Sequence, residues 1–79
     1  MPRFYFDFHD DGGTSVDETG AVFPSREAAK REALETLGVV ARDFGYRHAQ
    51  GRVAIQIRDD DAPPFLEVVV TFEARPLGK

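Results

Sequence analysis

One segment of the chain, residues 26–47, is the only long stretch whose apolar residues recur with the period of an α-helix. Ser25 is its predicted N-cap, and Glu27 places negative charge in the first turn, where the helix dipole favours it. The apolar residues form one stripe along the helix: Ala29, Ala33, Leu37, Val40, Ala41 and Phe44. A single helix of this kind must bury its stripe against a second layer of structure, which constrains the fold more than any other feature.

The second layer is predicted from segments in which apolar and polar residues alternate with period two, the pattern of half-buried strands. Residues 3–9 alternate phenylalanine with polar residues, and residues 14–17 return as a short strand after an Asp-Asp-Gly-Gly turn. Residues 52–58 and 65–74 alternate in the same way after the helix. The order β-β-α-β-β predicts a two-layer α+β sandwich: a four-stranded, mainly antiparallel sheet with one helix packed on one face.

The order of the four predicted strands stays open at this stage. An all-antiparallel order 2-1-3-4 is possible, and so is 2-1-4-3, which centres the fourth strand and makes it parallel to the first. We favour 2-1-4-3, because the run Val68-Val69-Val70 suits burial on both faces. The sequence also does not decide whether Gly45 or Gly51 ends the helix, and Gly38 in mid-helix indicates a close packing contact.

Length and composition predict one domain, residues 1–79, whose last residues, 75–79, form a frayed tail. The net charge of −4 argues against a general affinity for the phosphate backbone of nucleic acids. The absence of cysteine removes disulfides and thiolate sites, and it favours a reducing cytoplasm. Neither a signal peptide nor a segment of roughly 20 apolar residues is present, so we expect a cytoplasmic protein that does not bind membranes.

The acidic stretch of residues 7–18 partly matches a calcium-binding loop. Asp7, Asp11, Gly12 and Glu18 occupy its first, fifth, sixth and twelfth positions. The residues before it form a strand, however, whereas the calcium motif needs a helix on each side. We therefore predict a hairpin turn with no metal and no cofactor, and keep Asp7, Asp11 and Glu18 as the candidate ligands of a weaker alternative.

The histidines and their acidic neighbours do not predict an enzyme. His9 beside Asp7 and Asp17 would suit proton transfer in a pocket that excludes water. The alternation of the first strand instead places His9 and Asp7 on the open face of the sheet, the face that the helix does not cover. His48, near the end of the helix, suits a capping role at the negative end of the dipole. No nucleophile motif or phosphate loop is present, so we predict no catalytic residue.

One helix covers only one face of the sheet, and the other face is the predicted interaction surface. Tyr5, Phe65 and Val69 alternate onto that face among charged residues, where an apolar patch can mark a partner surface. We expect a homodimer through this face or through a sheet edge, and a further protein partner.

Several short motifs together resemble a known family. The segments MPRFYFDF, DDGG, DETG and FPSREAAKREA, and more loosely RVAIQIRDDD and LEVVVTF, are similar to the bacterial family called domain of unknown function 6894. The resemblance implies a short, single-domain bacterial protein and transfers no activity. The layout is also similar to HicB-like antitoxin domains, which bind a partner toxin, although their Pro-Asp-Leu-Pro-Gly-Cys-type segment is missing.

The sequence thus predicts a non-enzymatic protein-interaction or regulatory module that self-associates. Two alternatives remain: an antitoxin-like protein that binds a partner, and a small metal- or ligand-binding module that uses the acidic hairpin.

Overall fold

The structure, a computed structural model, describes residues 2–60 and 63–78. One helix lies on one face of an antiparallel sheet, which confirms the predicted two-layer α+β sandwich. In chain order the elements are β1 (Arg3–Asp10), β2 (Gly13–Ser15), β3 (Ala21–Val22), α1 (Arg26–Arg47), β4 (Gln50–Asp59) and β5 (Leu66–Glu73).

The helix begins where the sequence predicts. The backbone N–H of Ala28 donates to the Ser25 hydroxyl oxygen at 3.1 Å, so Ser25 is the N-cap. This hydroxyl satisfies one of the N–H groups that a helix start leaves without an intrahelical partner. At 22 residues the helix is about 33 Å long, enough to follow the strands beneath it from end to end.

The helix ends at neither of the two glycines considered. Its C-cap is His48, whose N–H donates to the Phe44 carbonyl at 3.0 Å. The imidazole ring of His48 stacks on the Phe44 ring with 4.1 Å between centroids. Gly45 lies inside the helix and Gly51 inside β4, where the Phe44 ring occupies the space that a side chain would need.

The sheet order is β2-β1-β4-β5, so the predicted preference for a central last strand is wrong. The strand over residues 50–59, and not the last one, lies next to β1, and both of its pairings are antiparallel. Burial gives the reason: Val53, Ala54 and Ile55 are consecutive and all buried, so β4 is covered on both faces. In β5, Val68 is buried but Val69 is 42% exposed, as expected of an edge strand.

The second predicted strand, residues 14–17, forms as β2 over Gly13–Ser15, and a further short strand, β3, follows it. β2 pairs with the end of β1, and β3, which the sequence analysis did not predict, pairs with its beginning. Residues 16–20 leave the plane between them without pairing as a strand. Beyond β5, residues 75–78 of the predicted tail are exposed and irregular. Lys79, and Asp61 and Ala62 of the loop between β4 and β5, lie outside the described residues.

The core lies between α1 and the facing side of the sheet. Ala29 and Ala33 are fully buried and bring the helix axis close to the strands, while Leu37 and Phe44 fill the space further along. The strands supply the rest of the buried cluster: Phe4, Val53, Ile55, Ile57 and Val68. The close contact predicted for Gly38 is not made within the described chain, since nothing lies within 4 Å of where its Cβ would be.

Candidate functional site

The open face of the sheet carries a half-buried ion pair between β1 and β4. Arg58 donates to both carboxylate oxygens of Asp7, from Nε at 2.8 Å and from Nη2 at 3.4 Å. Asp7 is only 8% exposed, although it lies on the face that the helix does not cover. A forked contact of this kind holds the carboxylate in one orientation. The expectation that Asp7 would face open water is therefore wrong.

The cover over Asp7 is the segment of residues 16–20. The backbone N–H of Asp17 donates to Asp7 Oδ1 at 2.9 Å, and Arg58 Nη2 donates to the Asp17 carbonyl at 2.9 Å. The segment is thus fastened to the sheet by the same two side chains that form the ion pair. This Asp7–Arg58–Asp17 cluster links β1, β4 and the connection between β2 and β3.

The side chain of Asp17 takes the place of a missing strand. Its Oδ2 accepts from the Phe6 backbone N–H at 3.1 Å. Phe6 lies in the part of β1 that pairs with neither β2 nor β3. Its Oδ1 accepts from the N–H groups of Thr19 and Gly20 at 3.1 and 3.0 Å. One carboxylate therefore satisfies three backbone donors that would otherwise depend on water.

Gly20 and Tyr5 complete the cover. Gly20 has a φ of +71°, and a Cβ there would lie 2.8 Å from the Phe4 carbonyl oxygen and from the Tyr5 ring. Only glycine fits both the left-handed conformation and this close approach. The guanidinium of Arg58 lies over the Tyr5 ring, 4.6 Å from its centroid, so Tyr5 contributes to the same assembly.

The charges of the cluster stabilise one another. Burial alone would raise the pKa of Asp7, but the hydrogen bonds from Arg58 and from the Asp17 backbone hold that pKa below its ordinary value. Burial opposes ionisation of Asp17 as well, and the N–H groups of Gly20, Phe6 and Thr19 lower its pKa despite it. The hydrogen bond to Asp7 raises the pKa of Arg58. All three groups are charged at neutral pH, and hydrogen bonds to one another and to nearby backbone groups stabilise their charges.

The structure does not bring the candidate metal ligands together. Asp7 is engaged by Arg58, while Asp11 is exposed in the turn after β1 and Glu18 is exposed in the covering segment. Within residues 2–60 and 63–78, no group of three or more histidine, aspartate or glutamate side chains is placed to hold a metal ion. The acidic turn instead satisfies its own backbone, since Asp10 Oδ1 accepts from the Gly12 N–H at 2.7 Å.

His9 is part of the hairpin between β1 and β2. Its Nδ1 lies 2.9 Å from the Thr14 hydroxyl oxygen, the residue opposite it in the ladder. Its Nε2 is buried and has no hydrogen-bond partner in the part of the chain that the structure describes. Neither nitrogen contacts Asp7 or Asp17, so the constellation considered for proton transfer is not formed.

The three predicted interaction residues lie in different places. Val69 is on the open face as predicted and is 42% exposed. Tyr5 is on that face but is partly covered by Gly20 and Arg58. The placement of Phe65 there is wrong: it precedes β5 and packs on the helix side, with its ring 6.1 Å from that of Phe4 and Arg26 stacked on it at 4.1 Å.

The free edge of β5 is the remaining feature of this surface. The Ala74 N–H donates to the Ala49 carbonyl, and hydrogen-bonded pairs alternate along an antiparallel ladder. The even-numbered residues of β5 therefore point their backbone groups at β4, and the odd-numbered ones point theirs outward. Among the described residues β5 pairs with β4 alone, so the backbone N–H and C=O groups of Glu67, Val69 and Thr71 have no strand partner.

Two features of the sequence indicate this cluster but did not enter the predictions. Asp7 and Arg58 both alternate onto the open face of their strands, where opposite charges on adjacent strands attract. The Asp17-Glu18-Thr19-Gly20 run is typical of a turn in which an aspartate accepts from the following backbone. Neither signal says which strand is adjacent to which, and that adjacency is what joins them.

A comparison with models of protein families gives a match over most of the chain. The model of the family described as Domain of unknown function (DUF6894) matches residues 3–71, from the start of β1 nearly to the end of β5. The chain belongs to this family. The match takes in the whole Asp7–Arg58–Asp17 cluster and most of the free edge.

Neither a curated protein nor a solved structure matches the chain. In the described part of the chain, no helix combines the length and the apolar composition that crossing a membrane requires.

Proposed function

We propose that this protein is a non-enzymatic protein-interaction module that binds an extended strand at the β5 edge. The observation that carries the proposal is the row of outward backbone groups at Glu67, Val69 and Thr71. Among the described residues, the eight-residue strand β5 has no partner on this side. Proteins that do not bind a partner through an edge strand usually keep that strand short, place charges on it or cover it. An exposed edge of this kind can take up a strand from a partner by forming main-chain hydrogen bonds.

The composition of β5 supports the same proposal. Val68, Val69 and Val70 form its centre, without the proline or the inward-pointing charge that blocks pairing. The neighbouring charges lie on the outer face, where Glu67 accepts from Gln56 and is near Arg52. An incoming strand would therefore meet an apolar centre with acidic residues towards both ends, which suits a partner strand that is apolar in the middle.

A comparison of two exposed valines tests the proposal. Val69→Lys places a charge on the free edge, whereas Val39→Lys places the same charge on a helix residue that is 52% exposed and remote from the edge. Tagged wild-type protein, V69K and V39K are used to capture partners, including the untagged protein itself, from an extract after brief chemical cross-linking.

We expect wild type and V39K to capture the same proteins and V69K to lose them. Equal capture by all three variants, or capture of nothing by any of them, would refute the proposal. Circular dichroism of each variant shows whether V69K is folded before its capture is interpreted.

A further inference from the structure

We infer that the strand bound at the β5 edge is the β5 of a second copy, paired antiparallel about a two-fold axis at Val69. This inference rests on the proposed function and names its partner. This pairing would join two five-stranded sheets into one continuous sheet with both helices on the same side.

The hydrogen-bond pattern allows a symmetric pairing centred on Val69. The outward groups belong to odd-numbered residues, so an odd-numbered residue can face itself in a pair that exchanges two hydrogen bonds. Centring on Val69 also places Glu67 opposite Thr71 of the second copy, and Thr71 opposite Glu67. The outward backbone groups of Glu67, Val69 and Thr71 in each copy then have a partner.

The side chains distinguish this register from the nearest alternative. Centring on Val69 brings Val69 against Val69, and the glutamate at position 67 faces a threonine. Centring on Val70 would instead set Glu67 opposite Glu73, and like charges directly opposite are destabilising. On the helix side the Val69 register pairs Leu66 with Phe72, both partly buried at the edge of the core.

In its second half, the flank of α1 above the free edge carries the small residues Gly38, Ala41 and Gly45. Gly45 is on this flank, because its missing Cβ would lie 3.9 Å from the Phe72 ring of β5. At 100° per residue, Leu34, Gly38 and Ala41 lie on the same flank. Leu34 is 49% exposed, and none of the described residues lies within 4 Å of where a Cβ of Gly38 would be. The flank is thus uncovered in a single copy.

The two-fold axis brings these helix residues together. Arg26 contacts Phe65 at one end of β5 and Phe44 contacts Phe72 at the other, so Val69 is level with the middle of the helix, near Leu34 and Gly38. With strands about 4.8 Å apart, helices that rest on β4 and β5 would lie about 10 Å from one another, close enough to pack. Leu34 of each copy then fits over Gly38 of the other, which gives a reason for glycine at this position.

Sedimentation equilibrium across micromolar concentrations tests the dimer. We expect wild type and Val39→Arg to be dimers, Val69→Lys to be a monomer, and Leu34→Arg to weaken the dimer by roughly tenfold or more. Leu34 and Val39 are both exposed helix residues, so the two arginine variants are matched. Equal dissociation constants for L34R and V39R would overturn the helix contact, and a monomeric wild type would overturn the dimer.

Single cysteines test the register, because the chain has none of its own. Directly opposite residues are about 5.5 Å apart between Cα atoms, within the range of a disulfide. Under oxidation we expect Val69→Cys to form disulfide-linked dimers, and a mixture of Glu67→Cys with Thr71→Cys to form the mixed dimer. A mixed dimer of V69C with T71C, or of E67C with Glu73→Cys, would overturn the Val69 register in favour of Val70.

The two proposals fail differently. A wild-type protein that sediments as a monomer, yet captures another protein in a Val69-dependent way, would refute the second copy and leave the interaction module standing. A monomer that captures nothing would refute both.

Discussion

The two edges of this sheet differ in what happens to the backbone N–H and C=O groups that point away from the sheet. At one edge, the closed edge, the backbone of β1 is covered by two short strands and, between them, by the carboxylate of Asp17. At the open edge, which is the free edge of β5, a straight row of backbone groups faces solvent. The first edge cannot accept another strand without first losing its own cover. We expect the second to accept one without any rearrangement.

The difference arises from the kind of interaction that each edge uses. The closed edge depends on hydrogen bonds and charges that are all made within the chain, centred on the Asp7–Arg58–Asp17 cluster. The open edge depends on apolar side chains and leaves its backbone donors and acceptors available. A change at the closed edge should therefore affect folding, and a change at the open edge should affect association. The following predictions test that division, from the largest expected effect to the smallest.

Replacing Arg58 should damage the closed edge most. We expect Arg58→Met to lower the free energy of unfolding by about 3 kcal/mol, because Asp7 would remain buried as an unpaired carboxylate. Denaturant titration measures the loss. Arg52→Met is the control: Arg52 pairs with Glu67 at 3.8 Å in an exposed position, and its loss should change stability by at most about 0.5 kcal/mol. Equal losses for the two variants would contradict the role assigned to the cluster.

Removing the carboxylate that replaces the missing strand should have the next largest effect. Asp17→Ala should lower the free energy of unfolding by about 2 kcal/mol, because three backbone N–H groups lose their acceptor. Amide exchange at Phe6 should accelerate at the same time. The control Asp10→Ala removes an acceptor for a single exposed N–H, that of Gly12, and should cost about 0.5 kcal/mol. Unchanged exchange at Phe6 in D17A would show that this amide is protected by something else.

Acid should weaken the closed edge in a defined window. The pKa values of Asp7 and Asp17 are lowered in the folded state. Their contribution to the free energy of unfolding is therefore complete at a pH above the unfolded pKa of about 3.9, and it is lost as the pH falls through the folded pKa values. The loss should be smaller than that in D17A, because a protonated carboxyl still accepts hydrogen bonds. Stability measured from pH 7 to pH 2 should fall less steeply in Asp7→Asn than in wild type. Identical slopes would rule out Asp7 as a source of the acid sensitivity.

At the open edge the same kind of substitution should leave the fold unchanged. In dilute protein, where association is negligible, Val69→Lys should alter the free energy of unfolding by no more than about 0.5 kcal/mol. The measurement is a denaturant titration at the lowest usable concentration, with V39K beside it. A loss above about 2 kcal/mol in V69K alone would show that Val69 belongs to the fold and is not an available surface.

Much of the fold could be predicted from the periodicity of the sequence. The start of α1, its Ser25 cap and the faces of Phe4, Ile55 and Val68 follow from local patterns, and the structure confirms them. The strand order could not be predicted, because a run of valines reads alike in a central strand and in an edge strand. Phe65 was misplaced for a related reason: the alternation was extended one residue beyond the strand, where it no longer holds.

The candidate site was predicted less well than the fold. Val69 was placed correctly on the open face, but the burial of Asp7 was not foreseen, because its cover comes from residues 16–20. A residue's alternation in its own strand indicates which face it occupies. It does not indicate whether another segment lies on top of it.

By itself, the sequence determined the helix, four of the five strands and the face that most apolar residues present, because helix and strand periods are local properties that burial selects directly. Only the tertiary structure decided that β4 lies between β1 and β5, that Arg58 reaches Asp7, and that one edge is closed while the other is free. These features depend on which distant segments become neighbours. The packing of the whole chain decides which segments become neighbours, since the interactions within a single segment are too weak to select its neighbours.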